Sequence, residues 1–361
     1  MLSIIRLLAR SLHCKGIGTR RRLGQAEVGT GLALGGGLSY LSSQYGLAAD
    51  SFRELEVVLP SGEVVTTSAK KNADLFLALK GGGGNAYGVV TKYTVQSRPI
   101  GTFYAGNLIY FANQTFAVLE AIRDFTRYNT DPKAAIIGTY EKLLTPGLGL
   151  NLDEACLMFL VYDGPDPGNL FDNFTRLPYL VNTLGGGKSY NDVVNLPLPG
   201  ATNLAKGDNF FRNSVHHIND DTYMTAIDNW RTWADANKAD YLLTSIDFQP
   251  IPKSLTDASK KQGGNALNLP DGPWYWLNFL ITSPPLDLAL NATYTAAQSR
   301  FKAMVDSVPN AKDLPLFPND SGYDQNPLKT FTTYKTLQKT KKKYDPDNYF
   351  ADYTGGWSFT A

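Results

Sequence analysis

The chain has 361 residues, with 34 Lys and Arg against 33 Asp and Glu. A net charge of +1 gives no electrostatic case for nucleic acid. It is 43% hydrophobic and 19% charged, the profile of a folded chain of roughly two domains, and no apolar run approaches the ~20 residues of a membrane span. Cys14 and Cys156 define no disulfide framework, and no cluster with His13, His216 or His217 has metal-ligand spacing, so no metal site is expected.

Residues 1–25 carry six Lys/Arg and no acid. LSIIRLLARSL has the composition of a short basic amphipathic transit segment, and a gene boundary placed upstream of Val28 is the alternative. ELEVVL and VVTTS, joined by Pro60-Ser61-Gly62-Glu63, read as a β-hairpin. DLFLALKG reads as a short helix with Asn72 at its N-cap and Gly81 at its stop, and residues 88–95 as a β-branched strand. Arg98-Pro99-Ile100-Gly101 marks a domain boundary. Beyond it, strands are expected over 102–112, 154–163, 241–251 and 274–282, and helices over 114–129, 169–177, 222–237 and 293–308. Phe116, Leu119, Ile122 and Phe125 set the apolar stripe of the 114–129 helix. In the 274–282 strand, alternation puts Trp274, Trp276 and Asn278 on one face and Tyr275, Leu277 and Phe279 on the other. His216-His217 is read as a surface loop before a helix, and Lys341-Lys342-Lys343 as the solvated end of a basic tail helix. The fold class is therefore α+β, with helices on one face of an antiparallel sheet.

Two glycine clusters, Gly35-Gly36-Gly37 and Gly81-Gly82-Gly83-Gly84, would let backbone N–H groups approach a large anionic ligand. Neither fits a Rossmann or Walker spacing. Gly187-Lys188-Ser189 follows no earlier glycine at the Walker position, which Asn182 occupies.

GGGLSYLSSQYGLAADSF and LALKGGGGNAYGVVTKYTV resemble the flavin-facing segments of the berberine-bridge-enzyme-like, FAD-linked oxidoreductases, whose cofactor domain is of the PCMH type. Lys343-Tyr344-Asp345-Pro346-Asp347-Asn348-Tyr349-Phe350 and Gly355-Gly356-Trp357 resemble that family's C-terminal segment. The resemblance implies four parts: a non-family segment 1–25, the second half of the FAD-binding domain over 26–100, a substrate domain over 101–312, and a tail over 313–361 that packs on the FAD domain. It implies FAD contacts at Gly35, Gly36, Gly37, Ser39, Tyr45, Gly46, Ala48 and Asp50. A second set falls at Gly83, Asn85, Tyr87, Gly88, Val89 and Val90. Tyr87 stands where the family has Phe. The family's pyrophosphate loop and flavin-bonding His have no match here, so the FAD half-domain is expected to be N-terminally truncated.

A flavin oxidase needs a base for the substrate proton. The family places a Tyr in the tail. Here Phe317-Pro318-Asn319-Asp320 puts Asp320 in that place with Tyr323 nearby, so Asp320 and Tyr323 are the candidate bases. Asn265 and the Trp274–Leu280 strand resemble parts of the substrate domain of fungal members. The implied function is FAD-dependent oxidation of an alcohol, sugar or secondary metabolite with O2 as acceptor. The alternative is a flavin-free remnant without activity. Sequons at Asn113, Asn173, Asn291 and Asn319, together with the resemblance, point to a secreted glycoprotein.

Overall fold

The computed structural model describes residues 29–84, 86–143, 154–196, 208–218, 221–283, 291–354, 357 and 359. The expected hairpin forms as β1 (Phe52–Val58) and β2 (Val64–Ser68), paired from Glu54 opposite Ser68 to Val58 opposite Val64. β3 (Val89–Val95) adds to the other edge of β1, giving a three-stranded antiparallel sheet. A short helix, α1 (Gly29–Leu34), precedes the first glycine cluster, and α2 (Ala73–Ala78) precedes the second. Asn72 does not cap α2 with its side chain. It sits at φ 47 and its amide donates to the Thr66 carbonyl at 3.0 Å, closing the loop onto β2 instead.

After residue 100 the chain builds a second, larger antiparallel sheet. Its strands are β4 (Phe103–Tyr110), β5 (Ala134–Leu143), β6 (Glu154–Tyr162), β7 (Val181–Asn182), β8 (Gly185–Lys188), β9 (Asp208–His217), β10 (Leu243–Ile251) and β11 (Trp274–Ser283). The order is β7-β4-β6-β5-β10-β11-β9, with β8 also on β4. Helices α3 (Thr115–Tyr128), α4 (Thr222–Ala236) and α6 (Asn291–Asp306) cover one face; α5 (Lys253–Lys261) follows β10. Tyr140, Phe248, Tyr275, Leu277 and Phe279 point into that helical layer, together with Trp230 and Phe301.

The α3 stripe is Val118, Leu119, Ile122 and Phe125. Phe116 lies outside it and is 45% exposed, because the residue that completes the inward arc at the start of the helix is Thr115. The expected helix over 169–177 is a single turn, Asp172–Thr175.

The opposite sheet face looks toward the small sheet and the tail. Trp274, Trp276, Val215 and Ile251 share one apolar cluster with Leu47, Leu55 and Leu79 of the first part and Phe317 and Leu337 of the tail. The tail helix α7 (Tyr334–Tyr344) starts later than the basic run suggests. Lys341 is not a solvated end: it is buried, with its ammonium 2.9 Å from Asp345 and donating to the Asp345 carbonyl at 3.0 Å. Lys343 reaches back to Asp74 of α2 at 2.6 Å, tying the tail to the first part.

Candidate active site

The two glycine clusters meet. A Cβ built on Gly81 would lie 3.5 Å from Gly36 and collide with Leu267. Gly36 and Gly37 hold φ 102 and 79, and Gly81 and Gly83 hold 101 and 102, a region that glycine enters without penalty. The carbonyls of Gly36 and Gly37 accept from Ala49 and Ala48 at 2.9 and 2.8 Å, so the first cluster folds back on the turn that carries Gly46 and Asp50. The second cluster is closely packed by protein: a Cβ on Gly82 would lie 2.8 Å from Leu337 and 2.9 Å from Ala266, and one on Gly84 2.8 Å from Leu34.

The remaining implied cofactor residues divide by environment. Asp50 is fully buried and its carboxylate is occupied by protein. It accepts from Leu47 N–H at 2.9 Å and from the Asn265 amide at 3.1 Å on each oxygen, and it stands 3.6 Å from the Lys80 ammonium. Burial raises the Asp50 pKa against the pull of Lys80, and burial lowers that of Lys80 against the pull of Asp50. Lys80 also donates to the Gly264 carbonyl. Gly46, at φ 78, would place a Cβ 2.6 Å from Asp50 and 2.9 Å from Ser259, so this crossing needs glycine. Ser39 is tied to Ser42, and the Tyr45 ring lies 4.7 Å under the Arg98 guanidinium. Ala48 is buried beside them. The buried Tyr87 hydroxyl donates to the Gly82 carbonyl at 2.8 Å, a bond that Phe cannot make. Gly88 packs on β1, where a Cβ would lie 2.6 Å from Val57; Val89 is exposed and Val90 half-buried. Asn85 lies outside the described residues.

The large sheet contributes a polar row that crosses four strands in register: Thr139 on β5, Asp247 on β10, Asn278 on β11 and Asn213 on β9. Side chains alternate between faces, so this row shares a face with Glu141, Gln249, Trp274 and Trp276, opposite the helices. Asn278 donates to Asp247 at 3.0 Å. Asn213 fastens the tail: its amide donates to the Phe317 carbonyl at 2.8 Å and the Ser321 hydroxyl at 2.7 Å. Trp276 stacks on Phe317, with ring centroids 4.4 Å apart, and donates to the Pro315 carbonyl at 2.7 Å. These anchors set Asp320, in the turn Pro318–Asp320, over the sheet, where Gln249 donates to it at 2.6 Å.

Asp320 is 0% exposed, and burial, with Asp247 nearby, pushes its carboxyl up to about 7. Burial and Asp247 push Glu141 up to about 8, and burial raises Asp247. Tyr323, the other candidate base, is 78% exposed. It lines an open groove with Arg212, Lys302 and Asp324, away from the polar row. His216 and His217 lie on strand β9, not in a loop. His216 is buried on the helical side, bonded to Ser214 at 2.8 Å, and burial lowers it to about 4. His217 meets Asp313 at 3.0 Å.

Glu141, Asp247, Gln249 and Asn213 are functional candidates that the sequence reading passed over. β5 and β9 have alternation broken by Gly138 and by the pair Phe210-Phe211, so neither stood out as a strand.

No family model matches the chain. It is 32% identical over 362 residues to an FAD-linked oxidoreductase of Arthroderma benhamiae, covering 93% of this chain and 68% of that protein. It is 26% identical over 345 residues to the bifunctional solanapyrone synthase of Alternaria solani, covering 91% of this chain and 62% of that one. Among solved structures, the carbohydrate oxidase of Microdochium nivale superposes with a TM-score of 0.71 at 19% identity, over 96% of this chain and 74% of that one. A berberine-bridge-enzyme-like protein of Arabidopsis thaliana superposes with a TM-score of 0.67 at 18% identity, over 88% and 69%. The chain belongs to the FAD-linked oxidoreductases and has the fold of the berberine-bridge-enzyme-like proteins. It spans about two thirds of the length of the curated relatives it matches.

Proposed function

We propose that this protein is an FAD-dependent oxidase of an alcohol, sugar or secondary metabolite, with O2 as electron acceptor. The observation that carries the reading is Asp320: a carboxyl held by Gln249 over a polar sheet face, with its Oδ1 unpartnered. The wall that would face a flavin is Gly36 and Gly37, whose backbone conformations glycine enters without penalty; at Gly36 the side-chain space is packed by Leu47, Leu267 and Phe317. Gly36 and Gly37 would hold the cofactor from that side, while Gly46 is closed off by Asp50 and Ser259. When bound, FAD supplies a hydride acceptor for the substrate carbon and passes the electrons to O2. Asp320 would take the substrate hydroxyl proton on Oδ1, and Gln249 would keep the carboxylate oriented. Trp276 and Phe317 exclude water from that transfer. The exposed sequons Asn113 and Asn173 support an exported protein.

The experiment is FAD titration of the purified chain, followed by oxygen-uptake assays over a panel of alcohols and sugars. Asp320→Asn serves as the control. The expected result is stoichiometric FAD, turnover that rises with pH through about 7, and a loss of ~10²–10⁴-fold in kcat in the variant with FAD retained. An Asp320→Asn protein that turns over normally would remove Asp320 from the chemistry. A chain that takes up no FAD would favour the second reading, a flavin-free protein. That reading draws support from the side chains of Leu34, Ala266 and Leu337, which fill the approaches to the second glycine cluster.

A further inference from the structure

The exposed side of the tail helix α7 is a stripe of lysines. Lys335, Lys339 and Lys342 stand at i, i+4 and i+7, so they share one face, opposite Leu337, Thr340 and Lys341, which the fold buries. The helix carries no acid. Lys341 and Lys343 are spent on Asp345 and Asp74, whereas Lys335, Lys339 and Lys342 pair with no acid among the described residues. Lysines three and four apart repel one another, so the stripe costs the helix stability unless an anion lies along it. The positive surface continues past the helix end. The Tyr344 hydroxyl lies 2.9 Å from Asp74 and 3.3 Å from Asn72, which brings the exposed and equally unpaired Lys70 and Lys71, next to Asn72 in the chain, toward the C-terminal end of α7. In a chain whose net charge is only +1, this is a local field and not a property of the whole surface. At the same end, the Asp345 carboxylate accepts from the N–H groups of Tyr349 and Phe350 at 2.8 and 3.0 Å, fastening the short helix Tyr349–Tyr353 to α7. Tyr349 and Tyr353 are exposed there, with ring centroids 4.9 Å apart. The exposed acids Asp347 and Asp352 follow α7, beside the tyrosines in the chain.

We infer that this face docks a polyanionic polysaccharide, a sugar chain bearing carboxylates or sulfates, with Lys335, Lys339 and Lys342 along its charges and Tyr349 and Tyr353 against its rings. The three lysines advance ~1.5 Å per residue and so spread their charges over about 10 Å of helix. That is a line and not a pocket, and it suits a repeating anion better than a small one. Two exposed rings side by side give a sugar an apolar platform while its hydroxyls stay in water. A lipid surface is the poorer match, because nothing apolar is exposed among these lysines: the residues between them that reach the surface are Thr336 and Gln338. Nucleic acid asks for a wider basic footprint than this chain offers. The face shares no residue with the Asp320 site, so the inference stands apart from the oxidase reading.

The test uses the full chain and a matched pair of probes, dextran sulfate and uncharged dextran, with phosphatidylserine vesicles as a third arm. The chain should bind dextran sulfate and not dextran, and its affinity should fall about 10²-fold or more between 50 and 200 mM salt. Lys335→Gln, Lys339→Gln and Lys342→Gln together should weaken binding about tenfold or more and flatten the salt dependence. The melting temperature of that variant should hold or rise slightly, since the changes are at the surface and remove a repulsion. Lys133→Gln, Lys238→Gln and Lys261→Gln, an equal change of charge on exposed lysines elsewhere, should leave binding as it was. Tyr353→Ala should weaken binding a few-fold and keep the salt dependence. No binding of dextran sulfate, equal binding of dextran, or binding that survives the α7 substitutions would overturn the inference. So would an equal loss in the control set, no effect of Tyr353→Ala, or vesicles held as tightly as dextran sulfate by the same lysines. The readout needs neither flavin nor turnover.

Discussion

Glu141 and Asp320 are acids held where ionisation is disfavoured, and that has a consequence for stability as well as chemistry. The Glu141 carboxyl is pushed from 4.5 to about 8, by burial first and by Asp247 second. Below about pH 4.5 both the folded and the unfolded chain hold this proton, and the group contributes no difference. Between about 4.5 and about 8 only the folded chain holds it, so the protein loses stability steadily as pH rises through that window. Above it both states are ionised and the loss is complete, on the order of a few kcal/mol. Glutamine cannot ionise. Glu141→Gln should therefore match the parent protein in mildly acidic buffer and gain on it progressively toward pH 8, by about 5 °C in melting temperature. Parallel melting temperatures across the whole range would show that Glu141 is solvated in the folded protein. Asp320 adds to the slope in the parent with its own midpoint near 7, so some pH dependence persists in the variant.

Among the elements, the loop after α5 joins the two parts of the molecule most directly. Gly263 and Gly264 take φ 92 and 70, which turns Asn265 inward to Asp50 and leaves Leu267 against Gly36 and Gly81. The Ala266 N–H donates to the Lys80 carbonyl at 3.0 Å, and Thr333 of the tail donates to the Ala266 carbonyl. Asn265→Ala would strip Asp50 of two bonds while leaving the carboxyl buried beside Lys80. A loss of about 2–3 kcal/mol in urea unfolding is expected. A change near zero would mean that Leu267 alone holds the loop. The sequence made β1 to β3, α3, α4, β10 and β11 legible because their alternation or helical spacing is regular. Alternation also grouped Trp276 and Asn278 on one face of their strand without showing which face meets the helices, and Asn265 was singled out by the resemblance alone. The sequence could not show that Asp50 would spend its carboxylate on Lys80 and Asn265, because a buried acid facing a ligand and one facing a lysine look alike in one dimension. Glu141 and Asp247 were hidden for a related reason. Their importance comes from strand register across β5 and β10, and register is set by pairing partners distant in the chain.

At the scale of the whole molecule, the four sequons do not stand alike in the fold. Asn113 and Asn173 are exposed, one in the short helical turn before α3 and the other in the single turn Asp172–Thr175. The side chain of Asn291 lies outside the described residues. Asn319 is half-buried where the tail crosses the first glycine cluster, and its amide donates to the carbonyls of Leu32 and Gly35 at 3.0 and 3.3 Å. A Cβ on Gly35 would run into this same side chain, so there is no room there for even one more carbon. A glycan on the Asn319 amide nitrogen would displace both bonds and wedge the tail away from the cluster, and Asp320 would move with it. Folded protein exported from a secretory host should therefore carry glycans at Asn113 and Asn173 and an unmodified Asn319. Peptide mass mapping after enzymatic deglycosylation in heavy-oxygen water reads this directly, because each released glycan leaves an isotopically marked aspartate. A marked residue 319 in soluble protein would mean that the tail does not sit on the glycine cluster in solution. Unmarked residues 113 and 173 in exported protein would remove the support that these two sequons give to secretion.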